Sequence, residues 1–120
     1  MPGSKGTVLI VEDDESFGYA AARHLEKAGY QSIVTQSSMV AMEELDKRRI
    51  DVVVTDVKLA KGEPHGLALA RMIQNKFPGT SIILVTAYPE LLDSEVAVPG
   101  TVLNKPVDLA ALTREVASHC

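Results

Sequence analysis

The strongest constraint on this chain is a set of short runs, at 7–11, 51–55, 81–85 and 101–103, in which β-branched and other apolar residues occupy consecutive positions. A strand with one face in water alternates apolar and polar residues. A strand apolar at every position needs cover on both faces, as in a parallel sheet held between helices. A weaker run at 31–35 supplies one more strand, near an edge. Between the runs, apolar residues recur every three or four positions: Phe17, Ala21, Leu25 and Ala28; Met39, Met42 and Leu45; Leu69, Ile73 and Phe77; Leu109, Leu112 and Val116. That is the period of helices with one buried stripe, and it turns Met39 and Met42 toward the core. Gly29 caps the end of the first helix, Pro78-Gly79 stops the third, and Asp108 caps the start of the last. Strand and helix alternate with short connections, which favours right-handed crossovers and helices on both faces of the sheet. The stretch 88–99 is the exception: with prolines at both ends and few apolar anchors, its fourth helix is expected to be short or irregular.

Length and composition set the outer limits. A chain of 120 residues, 46% of them hydrophobic, makes one domain that buries roughly two-thirds of its unfolded surface. The net charge of −4 and the scattered basic residues, apart from Lys47, Arg48 and Arg49, give no footprint for a nucleic-acid backbone. Cys120 is the single cysteine, which excludes an internal disulfide and a Cys-based zinc site. The apolar runs are far too short to span a membrane, and the first six residues lack the apolar segment of a secretory signal. The sequence therefore reads as cytoplasmic.

In an open α/β sheet, ligands bind beyond the carboxyl ends of the strands. Past those ends stand Glu12, Asp13, Asp14 and Glu15; Asp56; Thr86 and Ala87; and Asn104, Lys105 and Pro106. Each has an ordinary reading taken alone: an acidic first helical turn that complements the helix dipole, a turn aspartate, a strand-end threonine, an unremarkable loop. Their coincidence on one edge outweighs those readings. Two carboxylates about 4 Å apart repel by about 4 kcal/mol at an intermediate dielectric, so a cation is required. Mg²⁺ suits hard oxygen ligands and keeps several waters, and Lys105 supplies a second, compact positive charge. His24, His65 and His119 are too dispersed to form a cluster.

With these residues in place, the chain resembles the receiver domains of bacterial two-component response regulators over nearly all its length. Val-Leu-Ile-Val-Glu12-Asp13-Asp14 is similar to the acidic-pair motif, and Val-Val-Val-Thr-Asp56 to the phosphoacceptor strand. Ile-Ile-Leu-Val-Thr86-Ala87 resembles the hydroxyl-bearing strand end, and Asn-Lys105-Pro106 the lysine motif. The resemblance implies a flavodoxin-like, doubly wound, five-stranded parallel sheet in the order 2-1-3-4-5, spanning 7–120 after an N-terminal extension at 1–6. It implies that Asp13 and Asp56 coordinate Mg²⁺, Glu12 through water, with the backbone carbonyl of Lys58. Asp56 would be the nucleophile toward the phosphohistidine of a sensor histidine kinase or phosphotransfer protein, and Lys105, Thr86 and the Ala87 amide would stabilise the phosphoryl oxygens. A water would later hydrolyse the acyl phosphate. The chain would thus be a self-catalysing signalling phosphoacceptor rather than an enzyme acting on other substrates. It ends after its last helix, so the expected output is contact with a downstream target protein, a phosphate-sink role or a relay, unless it is an excised fragment.

Departures from the family pattern locate the differences. Val102 stands where many members carry an aromatic residue, the loop from Asp56 to Gly66 is longer than usual, and the stretch from Thr86 to Lys105 is shorter. The mobile output element is accordingly expected at 88–99, with Tyr88 taking part of the missing aromatic's role. The Lys105–Pro106 peptide is expected to be cis, so that the turn aims the lysine back into the acidic site. Three other readings compete. A haloacid-dehalogenase-type phosphatase would need an acid where Lys58 stands. A flavodoxin-like cofactor binder would need a phosphate loop where Glu12 to Glu15 repel phosphate. A degenerate receiver, never phosphorylated and used only for docking, would have no need of the acids, Thr86 and Lys105.

Overall fold

The computed structural model describes residues 5–57, 66–87 and 100–120. The apolar runs form β1 (Thr7–Val11), β3 (Val52–Asp56), β4 (Ser81–Thr86) and β5 (Thr101–Asn104), and the weaker run forms β2 (Gln31–Thr35). All pair in parallel in the order β2-β1-β3-β4-β5. The expected edge position of β2 follows: every residue in it is part-exposed, whereas Val52 to Thr55 of central β3 are buried. The helices are α1 (Glu15–Lys27), α2 (Ser38–Lys47), α3 (Gly66–Lys76) and α4 (Leu109–His119). The short or irregular helix expected at 88–99, and Tyr88 with it, lie outside the described residues, as does His65.

Why the strands are apolar at consecutive positions is visible in the two cores. Val8, Ile10, Val52, Val54, Ile83 and Val85 face one side, against Ala21, Ala22 and Leu25 of α1 and Leu112 and Val116 of α4. Leu9, Val11, Val53, Ile82 and Leu84 face the other, against Ala41 and Leu45 of α2 and Leu69, Ala70 and Ile73 of α3. The pleat sends successive side chains to opposite faces, so both faces need apolar residues.

Helix ends follow the expected chemistry. Asp14, Ser37 and Asp108 accept backbone N–H bonds in the first turns of α1, α2 and α4. Gly29, at φ 104°, follows the Ala28 cap of α1, a conformation that costs a residue with a Cβ far more than glycine. One packing expectation is corrected. Met42 packs on the core, but Met39 is 66% exposed. The buried stripe of α2 runs through Ser38, Ala41 and Leu45, and Met39, one residue on from Ser38, is rotated by about 100° out of that stripe.

Candidate functional site

The carboxyl ends of β1, β3, β4 and β5 carry the site, and the sheet ladder fixes its backbone. Beyond the strands themselves, the Glu12 N–H donates to the Thr35 carbonyl at 3.0 Å, the Val57 N–H to Val85 at 3.0 Å and the Lys105 N–H to Thr86 at 2.8 Å. Asp56 lies opposite Val85, and Thr86 opposite Asn104. The Lys105–Pro106 peptide is cis, as expected.

Three side chains converge here. The Lys105 ammonium donates to Asp56 Oδ2 at 2.8 Å and lies 3.4 Å from Glu12 Oε2. Glu12 is buried, its other carboxylate oxygen accepting the Asp14 N–H at 3.1 Å. Burial pushes its carboxyl up to about 7; the Asp14 N–H opposes this, the Asp56 charge adds to it, the Lys105 charge opposes it, and a hydrogen bond shared with Asp56 adds again. For Lys105, burial alone would lower the ammonium's pKa. The hydrogen bond to Asp56 and the charges of Glu12 and Asp56 together outweigh that and hold it above its ordinary value. The raised carboxyl reports first that Glu12 is buried, with the neighbouring Asp56 charge adding to that effect.

Thr86, Ala87 and Asp13 stand just within or beyond the carboxyl ends of β4 and β1. Thr86 is buried at the end of β4, and Ala87 is exposed just beyond it. Asp13 is exposed in the turn between β1 and α1. Lys58 lies outside the described residues. A cavity of about 390 Å³, lined by Asp14, Phe17, Ala87, Lys105, Pro106 and Val107, opens beside Lys105.

Among the described residues no three His, Cys, Asp or Glu side chains converge as a metal cage. Mg²⁺ does not need one: one or two carboxylates, water and substrate oxygens suffice. Buried Glu12 and part-buried Asp56, with exposed Asp13 adjoining, offer hard oxygen donors and a deficit of positive charge. That donor set fits the ion.

A family model for the response regulator receiver domain matches residues 8–117. The chain belongs to that family. This receiver domain is 29% identical over 112 residues to the transcriptional regulatory protein GlrR of Escherichia coli (strain K12), a match covering 91% of the chain and 25% of the relative. It is 27% identical to the photosynthetic apparatus regulatory protein RegA of Rhodobacter capsulatus, over 92% of the chain and 61% of RegA. The chain thus spans about a quarter of GlrR and less than two-thirds of RegA. Among solved structures, a CheY-like receiver domain from Methylobacillus flagellatus superposes with a TM-score of 0.84 at 26% identity, covering 98% of this chain and all of the other.

Two residues of the receiver's site were not anticipated from its sequence. Gly66 opens α3 with its N–H on the Val57 carbonyl at 2.8 Å, and a Cβ there would lie 1.8 Å from the Asp56 carbonyl oxygen. A glycine opening a helix ten residues past Asp56 is the one sequence signal for it, since glycine weakens helices elsewhere. Phe17, read as core, is part-buried, but its ring also faces the Lys105 ammonium at 5.8 Å.

Proposed function

We propose that this receiver domain accepts a phosphoryl group on Asp56 from a sensor histidine kinase or a phosphotransfer protein, and that phosphorylation alters a surface read by a downstream target protein. The observation that carries this reading is the Lys105 ammonium held between Asp56 and buried Glu12 at the carboxyl ends of the parallel strands. Asp56 and Asp13 would hold Mg²⁺ directly, Glu12 through water, with the backbone carbonyl of Lys58 as a further ligand. Bound there, the ion supplies positive charge to the phosphoryl oxygens and offsets the crowded carboxylates.

The chain's own groups perform the transfer. An Asp56 carboxylate oxygen attacks phosphorus in line, forming a P–O bond as the P–N bond to the donor imidazole breaks and the electron pair leaves with nitrogen. Lys105, the Thr86 hydroxyl and the Ala87 N–H stabilise the charge on the equatorial oxygens. Hydrolysis of the acyl phosphate by water restores the Asp56 carboxylate and releases phosphate. The domain works in the cytoplasm, and residues 1–6 form an extension to it. Among the described residues, no helix is long and apolar enough to cross a membrane.

The test is intact mass after incubation with acetyl phosphate and Mg²⁺. A gain of one phosphoryl mass, lost in Asp56→Asn, is expected. Failure of the unaltered protein to gain it would leave a docking module without phosphorylation as the better reading.

A further inference from the structure

Phe17 is held from two directions. Its backbone N–H donates to the Asp14 carboxylate at 3.2 Å, and the Asp14 N–H is itself bonded to Glu12. The ring packs on the core between sheet, α1 and α4, and walls the cavity beside Lys105. The ammonium therefore has carboxylate oxygens at 2.8 and 3.4 Å and, in addition, an aromatic face 5.8 Å away.

These supports respond differently to the chemistry. While Asp56 is an unmodified carboxylate it anchors Lys105 directly. Once one of its oxygens bridges to phosphorus, the negative charge moves outward onto the phosphoryl oxygens and the ammonium has to follow. Lysine carries its charge on a flexible four-carbon stem, whose rotamer freedom opposes any single placement. The ring face attracts the ammonium through its own quadrupole, so this contact, unlike the bond to Asp56, does not depend on where the carboxylate charge lies. A leucine would keep an apolar side chain there without the ring's electron-rich face.

The geometry points to Phe17 as a positioning residue for Lys105, its ring holding the ammonium over the site while the charge that lysine serves passes from Asp56 to the phosphoryl group. This rests on the phosphoacceptor reading above. Phe17→Leu, Phe17→Tyr, Lys105→Met and the double variant Phe17→Leu/Lys105→Met would be labelled at saturating acetyl phosphate with Mg²⁺ and followed by intact mass. Phe17→Leu is expected to slow labelling by about two- to five-fold, the range a solvent-accessible cation–π contact supplies, and Phe17→Tyr to restore the rate. In the Lys105→Met background the leucine should change nothing further. The Lys105 ε-methylene protons should show an upfield ring-current shift in the unaltered and Phe17→Tyr proteins that Phe17→Leu lacks. Labelling of Phe17→Leu at the unaltered rate, or equal slowing in both lysine backgrounds, would overturn the proposal alone. If the unaltered protein takes no label, the phosphoacceptor reading falls and this proposal with it.

Discussion

The Lys105 ammonium lies 2.8 Å from Asp56 Oδ2 across a sequence separation of 49 residues, and the same nitrogen is 3.4 Å from the buried Glu12. One cation thus serves two carboxyl groups, one of them buried and held near neutrality.

Removing that cation tests its role in transfer. Lys105→Met keeps most of the stem's bulk but deletes the charge proposed to meet the phosphoryl oxygens. Loss of one such electrostatic donor slows a reaction by about 10²–10³-fold. Rates of phosphoryl gain from acetyl phosphate should fall into that range, and a change smaller than about threefold would remove Lys105 from the mechanism proposed here.

Metal dependence follows from the crowding of acids at this edge of the sheet. Labelling of Asp56 should require a divalent ion, because a phosphoryl donor brings further negative charge to carboxylates that Lys105 alone does not neutralise. In excess chelator the phosphoryl mass should not appear, and added Mg²⁺ should restore it. Full labelling without a divalent ion would contradict the proposed donor set.

Gly66 has a steric role beside Asp56. Its missing Cβ would stand 1.8 Å from the Asp56 carbonyl oxygen, so Gly66→Ala has to displace either the start of α3 or the end of β3. Overpacking of this kind costs about 1–3 kcal/mol. The urea midpoint should drop accordingly, with slower labelling of Asp56. An unchanged midpoint would mean that the backbone yields there more easily than its hydrogen bond to Val57 implies.

The metal-free protein should show a pH signature from Glu12. Burial, with the adjacent Asp56 charge, holds its carboxyl at about 7 against an ordinary 4.5. Between those values the folded state keeps a proton that the unfolded chain has released. Stability from this group is therefore greatest below the window, falls as pH rises through it and levels off above about 7. Urea midpoints in chelator, taken as the unaltered protein minus Glu12→Gln, should decline across that window. A flat or rising difference would show that Glu12 is ionised throughout.

Much of this fold is determined by local sequence. Consecutive apolar residues at 8–11 and 52–54 need cover on both faces, and this alone points to a parallel sheet between helices; Asp14, Gly29 and Asp108 mark helix ends through their own side chains or their lack of one. The identity of the acids and of Lys105 at the strand ends is equally a matter of sequence. What the tertiary structure alone decided is how those residues meet. Parallel strand register brings positions 12, 56 and 105 within ion-pair distance, buries Glu12 while leaving the neighbouring Asp13 exposed, and places Phe17 over the lysine. It also puts the start of α3 against the Asp56 carbonyl, and rotates Met39 out into solvent. Periodicity and capping are properties of neighbouring residues and can be read along the chain. Distances between segments, and the burial that shifts a carboxyl's pKa, arise only when the helices pack on the sheet.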